Sequence, residues 1–231
     1  MTEKVRNSSD LFQSQIRNAF NAFFNFLLPS VCVSCGHPGT MFCEQCHERV
    51  ERLLTPIYVQ NDVGKRPLSQ AWAAAKFSGP IPDIIHNFKY NGHFALAKPL
   101  ATIMVETWML LTRPEIDLVV PIPLHHEREK KRGYNQAALL VKSFGSQIKL
   151  DTDFEAVRRI RHTRPQVGLS AKARQVNVSN AFWANEKRIA GKRILMIDDV
   201  FTTGATMSAA ANALSAAGAL AVFGYCVARA E

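Results

Sequence analysis

Thirteen residues, Ile194 to Thr206, read ILMIDDVFTTGAT, and their types and order suit a narrow class of ligand. An apolar strand ends in two adjacent carboxylates, Asp198 and Asp199. Small hydroxylated residues and a glycine follow, and then a helix-forming run. In open α/β sheets ligands sit beyond the carboxyl ends of strands. Thr202, Thr203, Gly204, Ala205 and Thr206 would offer backbone N–H groups and hydroxyls at a helix N-terminus, where the dipole favours an anion. Gly204 lets that backbone approach closely. The carboxylates are poor neighbours for phosphate but suit two vicinal hydroxyls or a divalent cation. A phosphate beside a diol describes a ribose 5-phosphate. No GxxxxGK followed by Ser or Thr occurs, and no GxGxxG, so triphosphate and dinucleotide fingerprints are both missing.

A second group could hold a metal. Cys32 and Cys35 form one CxxC, and Cys43 and Cys46 another a few residues on. Without a secretory leader, paired CxxC motifs read as zinc ligands rather than disulfides, because each tight turn presents two sulfurs to one side of a tetrahedral ion. Four reduced thiols or a redox pair is the other reading. His37 and His47 are near enough to replace a cysteine. A third group is cationic. Arg128, Lys130, Lys131 and Arg132 cluster in one segment, and Arg158, Arg159, Arg161, Arg164, Lys172 and Arg174 in another, and both segments read as loops. Within a net charge of +9 these clusters point to anionic partners such as phosphates, nucleic acid or an acidic lipid surface.

The elements that must position these groups follow from periodicity. Strands are expected near 72–77, 117–121, 193–197 and 220–227, and another ending near 158–161. Helices are expected at 81–89, 94–111, 135–149 and 205–217, the last closed by Gly218. Strands alternating with helices imply an α/β fold with a parallel sheet. Residues 162–180 form a long polar loop of the kind kept for function. From Leu11 to Leu28, Phe12, Ile16, Phe20, Phe23, Phe24 and Leu27 fall at helical spacing, so an amphipathic helix is expected between Asp10 and Pro29. It either packs on its own protein or grips a partner or membrane surface. The chain thus divides into an N-terminal helix (1–29), a CxxC/CxxC zinc module (30–54) and a larger domain (55–231). No apolar run is long enough to span a bilayer and no signal peptide is evident. The expectation is a cytoplasmic protein that helix 11–28 could hold peripherally at the inner membrane.

At Ile194 to Thr206 the chain resembles the type I phosphoribosyltransferases. From Cys32 to Arg229 it resembles the ComF family of competence-associated phosphoribosyltransferase-like proteins. The resemblance is carried by the two CxxC knuckles, FKYNG at 88–92, VPIPLHHEREKKRGYNQ at 120–136, RPQVGLSAKARQVNVSNAF at 164–182 and the IDDVFTTGAT loop. The family usually shows RGFNQ where this chain has RGYNQ. It implies a type I phosphoribosyltransferase-like parallel sheet with flanking helices, preceded by the zinc module. It implies phosphoribosyl pyrophosphate as ligand, with Mg²⁺ bridging ribose hydroxyls and pyrophosphate and with Asp198 and Asp199 orienting hydroxyls or metal. Pyrophosphate would lie on the loop from Pro121 to Gln136, clamped by Arg128, Lys130, Lys131 and above all Arg132. Residues 161–174, with Arg164 and Arg174, would form a flap.

Catalysis in such a site would rest on positioning and charge neutralisation while pyrophosphate leaves the anomeric carbon. No acceptor pocket is legible. Two functions therefore stand side by side. One is phosphoribosyl pyrophosphate binding in the service of single-stranded DNA handling or import during natural transformation, with helix 11–28 docking on the uptake machinery. The other is a catalytic phosphoribosyltransferase on an unidentified small acceptor, without DNA contact. Phe88, Tyr90, His93, Phe94 and Tyr134 lie near basic residues as single-strand binding would need, and aromatics so placed also build cores.

Overall fold

The computed structural model describes residues 30–57, 67–161 and 181–230. The expected helix at 11–28 and the flap residues Arg164 and Arg174 lie outside the described residues. Three apolar segments set the architecture: β1 (Gln70–Lys76), β5 (Arg193–Phe201) and β6 (Ala221–Arg229). They are close to continuous apolar runs, as strands covered on both faces must be. With β2 (Leu118–Pro121) they form a parallel sheet in the order β1-β6-β5-β2. A short antiparallel pair, β3 (Val157–Arg159) and β4 (Phe182–Ala184), stands apart from it.

Alternation along the strands divides the interior in two. Trp72, Leu195, Ile197, Phe223, Tyr225 and Val227 face one core with α2 (Ile81–Tyr90), α3 (Ala97–Leu110) and α5 (Gln136–Ile148). Ala71, Ala73, Ile194, Met196, Val222 and Cys226 face the other, under α7 (Ala205–Ala216) and the β3–β4 pair. The first core is keyed by aromatics. Trp108 meets Tyr225 at 5.0 Å, Phe144 at 6.0 Å and Trp72 at 5.9 Å between ring centroids, the last edge-on. The buried Tyr225 hydroxyl donates to the Met104 carbonyl at 2.6 Å.

The cysteine segment, with its one-turn helix α1 (Glu44–Glu48), belongs to this same first core: Phe42, Cys43, Cys46 and Val50 pack in one cluster with Trp72, Ile81 and Ile84. Ser34 Oγ donates to the Asp83 carboxylate at 2.9 Å, and Arg52 bridges His47 and Glu106. The module expected as a separate piece is therefore packed on α2, α3 and β1.

Three expectations are corrected. The strand through Ile197 continues to Phe201, because β6 extends far enough to pair Val200 with Ala228 and Phe201 with Arg229. The aspartates thus lie within a strand rather than at its end. The segment holding Arg128 to Arg132 is a helix, α4 (His126–Arg132), not a loop. The His125 side chain caps it, Glu127 and Glu129 meet its positive end, Lys130 to Arg132 its negative end, and Gly133 closes it at φ +87°. The helix expected from Phe94 opens with a 3₁₀ turn (Phe94–Leu96) before α3, which places Pro99 in the first turn of α3, where proline is tolerated. A Trp108→Ala variant should lower the unfolding free energy by about 3–5 kcal/mol, read by urea denaturation.

Candidate functional site

A cleft of about 720 Å³ opens at the carboxyl edge of the sheet. Residues at or just past the ends of all four parallel strands line it: Phe77 after β1, Ile122 to Leu124 after β2, Asp198 to Thr202 of β5 and its loop, and Ala230 after β6. That is where a parallel sheet places ligands, because loops and helix N-termini converge there.

Within β5 the pleat turns consecutive side chains to opposite faces. Asp199 is 4% exposed and faces α2, whose last turn brings Lys89 Nζ to 2.7 Å from Asp199 Oδ1. Asp199 Oδ2 is buried and has no hydrogen-bond partner among the described residues. Asp198 keeps the register of Ile194 and Met196, and its Oδ1 accepts the Asp199 amide at 2.9 Å. Burial, reinforced by the Asp199 charge, pushes the Asp198 carboxyl up to about 7. Burial works against the Lys89 ammonium too, but the Asp199 carboxylate outweighs it and raises that group.

Past β5 the chain turns through Thr202 and Thr203 to Gly204, which stands at φ +74° as the N-cap of α7. A Cβ on Gly204 would also come to 2.7 Å from Phe201 Cζ, so any other residue must displace that ring besides adopting a left-handed backbone. Thr203 Oγ1 accepts the Ala205 amide at 3.4 Å, within the turn that leads into α7. Thr202, Gly204, Ala205 and Thr206 line the cleft, and Thr203 does not.

Opposite lies α4, which turns Arg128, Lys131 and Arg132 into the cleft and leaves Lys130 out of the lining. The Arg132 side chain donates to Gln136 and lies over the exposed Tyr90 ring, 5.4 Å from its centroid. Burial, with the charge of Arg132, lowers the Arg128 group. Arg159, on the inward phase of β3 and 5.3 Å over Phe182, completes the lining, and burial with the Arg128 charge takes it down to about 10. Of the aromatics near basic residues, Phe88 is buried, the Tyr134 hydroxyl donates to the Phe88 carbonyl, and Tyr90 and Phe94 are exposed.

The sequence places Arg159 only within a basic cluster suited to anions, and it gives Lys89 no part in the site. Lys89 is one lysine near a helix end, with nothing local to mark its partner 110 positions away. Arg159 could have been found from alternation, since Val157 fixes the inward phase of its strand.

The four cysteines converge. Their sulfurs lie within 4.8 Å of one another, with Cys32 and Cys46 at 3.7 Å and Cys35 and Cys43 at 3.5 Å. A tetrahedral zinc with bonds of about 2.3 Å sets sulfurs about 3.8 Å apart, so the set fits a metal such as zinc. Gly36 and Gly39, at φ +77° and +103°, make the turns. His47 is not among the ligands, because its Nε2 lies 3.1 Å from Glu106. Because the cluster shares the main core, stripping a bound metal with a strong chelator should lower the melting temperature of the whole chain, read by calorimetry as one cooperative shift. Gly204→Ala should cost about 1–3 kcal/mol of stability, read by thermal melting.

Comparison with known proteins agrees with this geometry. The family model described as the phosphoribosyl transferase domain matches residues 130–230. The DNA utilization protein YhgH of Escherichia coli is 29% identical over 207 residues, covering 87% of this chain and 84% of that protein. Competence protein F of Haemophilus influenzae is 34% identical over 137 residues, 56% of this chain and 59% of that protein. Competence protein ComFC of Bacillus subtilis is 26% identical over 199 residues, 80% of this chain and 71% of that protein. With the parallel sheet, the aspartate strand and the cysteine knuckles, these matches support a ComF-family phosphoribosyltransferase-like protein.

Proposed function

We propose that the cleft binds phosphoribosyl pyrophosphate together with Mg²⁺, and that the protein acts in the handling or import of single-stranded DNA during natural transformation. The observation that carries the first half is the meeting of three groups in one cleft. The aspartate pair suits a diol, the N-terminus of α7 suits a phosphate, and the cations of α2, α4 and β3 suit a pyrophosphate. Among lining residues, Lys89, Arg128, Lys131, Arg132 and Arg159 stand against Asp198 and Asp199, a formal excess of three positive charges. That excess matches a ligand with about three negative charges on its pyrophosphate at neutral pH.

In this reading Thr202, Gly204, Ala205 and Thr206 hold the 5-phosphate through backbone amides and hydroxyls, and Arg128 and Arg132 clamp the pyrophosphate. Asp199 Oδ2, buried without a donor, takes a ribose hydroxyl. The metal, held by ligand oxygens and the aspartates, would neutralise charge on the departing pyrophosphate. The cysteine cluster is assigned to a structural zinc, since four ligands leave no open position for chemistry.

The second half is supported by the relatives, which are named for competence and DNA utilization. It is supported also by the net charge of +9 and by exposed Tyr90 beside Arg132. No helix among the described residues is long and apolar enough to cross a membrane.

Calorimetric titration with phosphoribosyl pyrophosphate and Mg²⁺ tests the cleft: wild type should bind, and Asp198→Ala with Asp199→Ala should lose at least about tenfold. Equal binding by both would refute the assignment. Release of pyrophosphate when metabolite extract is added would favour the catalytic alternative. Single-stranded DNA affinity should fall with salt, with a log–log slope of about −0.7 per phosphate contacted. A flat response, or no binding, would remove direct DNA contact.

A further inference from the structure

The aspartate pair already has a cation. Lys89 Nζ lies 2.7 Å from Asp199 Oδ1, and both side chains are largely removed from solvent, at 20% and 5% exposure. The ammonium is delivered by a fixed helix end. Phe88, beside it, is fully buried, and the Tyr134 hydroxyl holds the Phe88 carbonyl, so the last turn of α2 is tied to the segment between α4 and α5. The cleft around the pair is cationic besides, with Arg159, Arg128, Lys131 and Arg132 in its lining.

We propose that Lys89 fills the cation position of the aspartate pair in the ligand-free protein, so that the pair does not collect a divalent metal by itself. A metal ion reaching Asp199 would lie beside the ammonium, in a partly buried cleft whose lining carries four further positive side chains, where like charges repel strongly. Phosphates reverse that balance. A metal therefore enters in the company of a phosphorylated ligand, whose oxygens supply the negative charge that Lys89 has cancelled on the protein. Lys89 keeps Oδ1 of Asp199, and the buried Oδ2 stays free to accept a hydroxyl of the ligand. Lys89 is thus a positioning residue: it aims Asp199 and decides which cation the pair accepts. The entry of metal with phosphate rests on the proposed reading of the cleft, whereas the exclusion of free metal does not.

The test is titration of the full chain with Mn²⁺, followed by electron paramagnetic resonance of the unbound ion, without any phosphate present. Wild type and Lys89→Arg should bind Mn²⁺ weakly at the cleft. Lys89→Met, with a circular dichroism spectrum like that of wild type, should bind about tenfold or more tightly, and adding Asp199→Asn should abolish the gain. Lys89→Gln, which keeps a hydrogen-bond donor but no charge, carries the same comparison where methionine is not tolerated. The idea is overturned if wild type binds Mn²⁺ as tightly as the uncharged variants, or if those variants, folded, stay as weak as wild type. Adding phosphoribosyl pyrophosphate should then bring Mn²⁺ onto wild type. Failure of that last step alone would sink the reading of the ligand and leave the role of Lys89 standing.

Discussion

Two carboxylates on consecutive residues of a strand that is paired on both sides form the constraint around which the rest is arranged. The sheet buries most of Asp199 and part of Asp198, and one helix end, one short antiparallel strand pair and one short basic helix supply the compensation. Lys89 comes from α2, Arg159 from β3 and the arginines of α4 from the segment after β2. Each therefore has to arrive at the same edge of the sheet, and the packing of α2 and α5 on one face and of the β3–β4 pair on the other brings them there. The aromatic cluster around Trp108 and Tyr225 fixes how α3 and α5 sit, and so indirectly where the basic helix begins.

The cysteine knuckles enter the same arrangement from the opposite side of the chain. Cys43, Cys46 and Phe42 share a core with Trp72 and Ile81, and Ser34 reaches Asp83 in the first turn of α2. The helix that holds Lys89 at its last turn is thus held by the cysteine segment at its first. Order at the sulfur cluster and order at the aspartate pair are mechanically joined through ten residues of α2.

Much of this was legible in the sequence because it rests on local rules. The strands around Trp72, Val119, Leu195 and Phe223 are apolar runs, Asn135 and Gly218 punctuate helices, and a DD followed by TTG has few uses. What escaped detection depended on distance or on competing local signals. The segment from Arg128 to Arg132 looks like a solvated turn because its charges hide the helix, yet the order of those charges, acids first and bases last, is what a short helix needs. The strand carrying the aspartates looked finished at Ile197, since a carboxylate is a poor strand residue, and only the length of β6 beside it keeps it extended. The pairing of Lys89 with Asp199 joins two segments 110 positions apart, and no periodicity records it.

The order of the strands carries one more consequence. β6 follows the other strands in the sequence and yet lies inside the sheet, between β1 and β5. Until it emerges from the ribosome, β1 has no partner in the sheet and β5 lacks one of its two neighbours. The carboxyl edge, and with it the cleft, is therefore completed only once β6 has been made, after the cysteine knuckles, α2 and α3. Such a topology separates an early scaffold from a late site, and closing the long loop between β1 and β6 sets a slow step in folding. A nascent chain of this protein exposes the unpaired flank of an apolar strand from the making of β1 until β6 follows, which is a kinetic burden that the finished fold conceals.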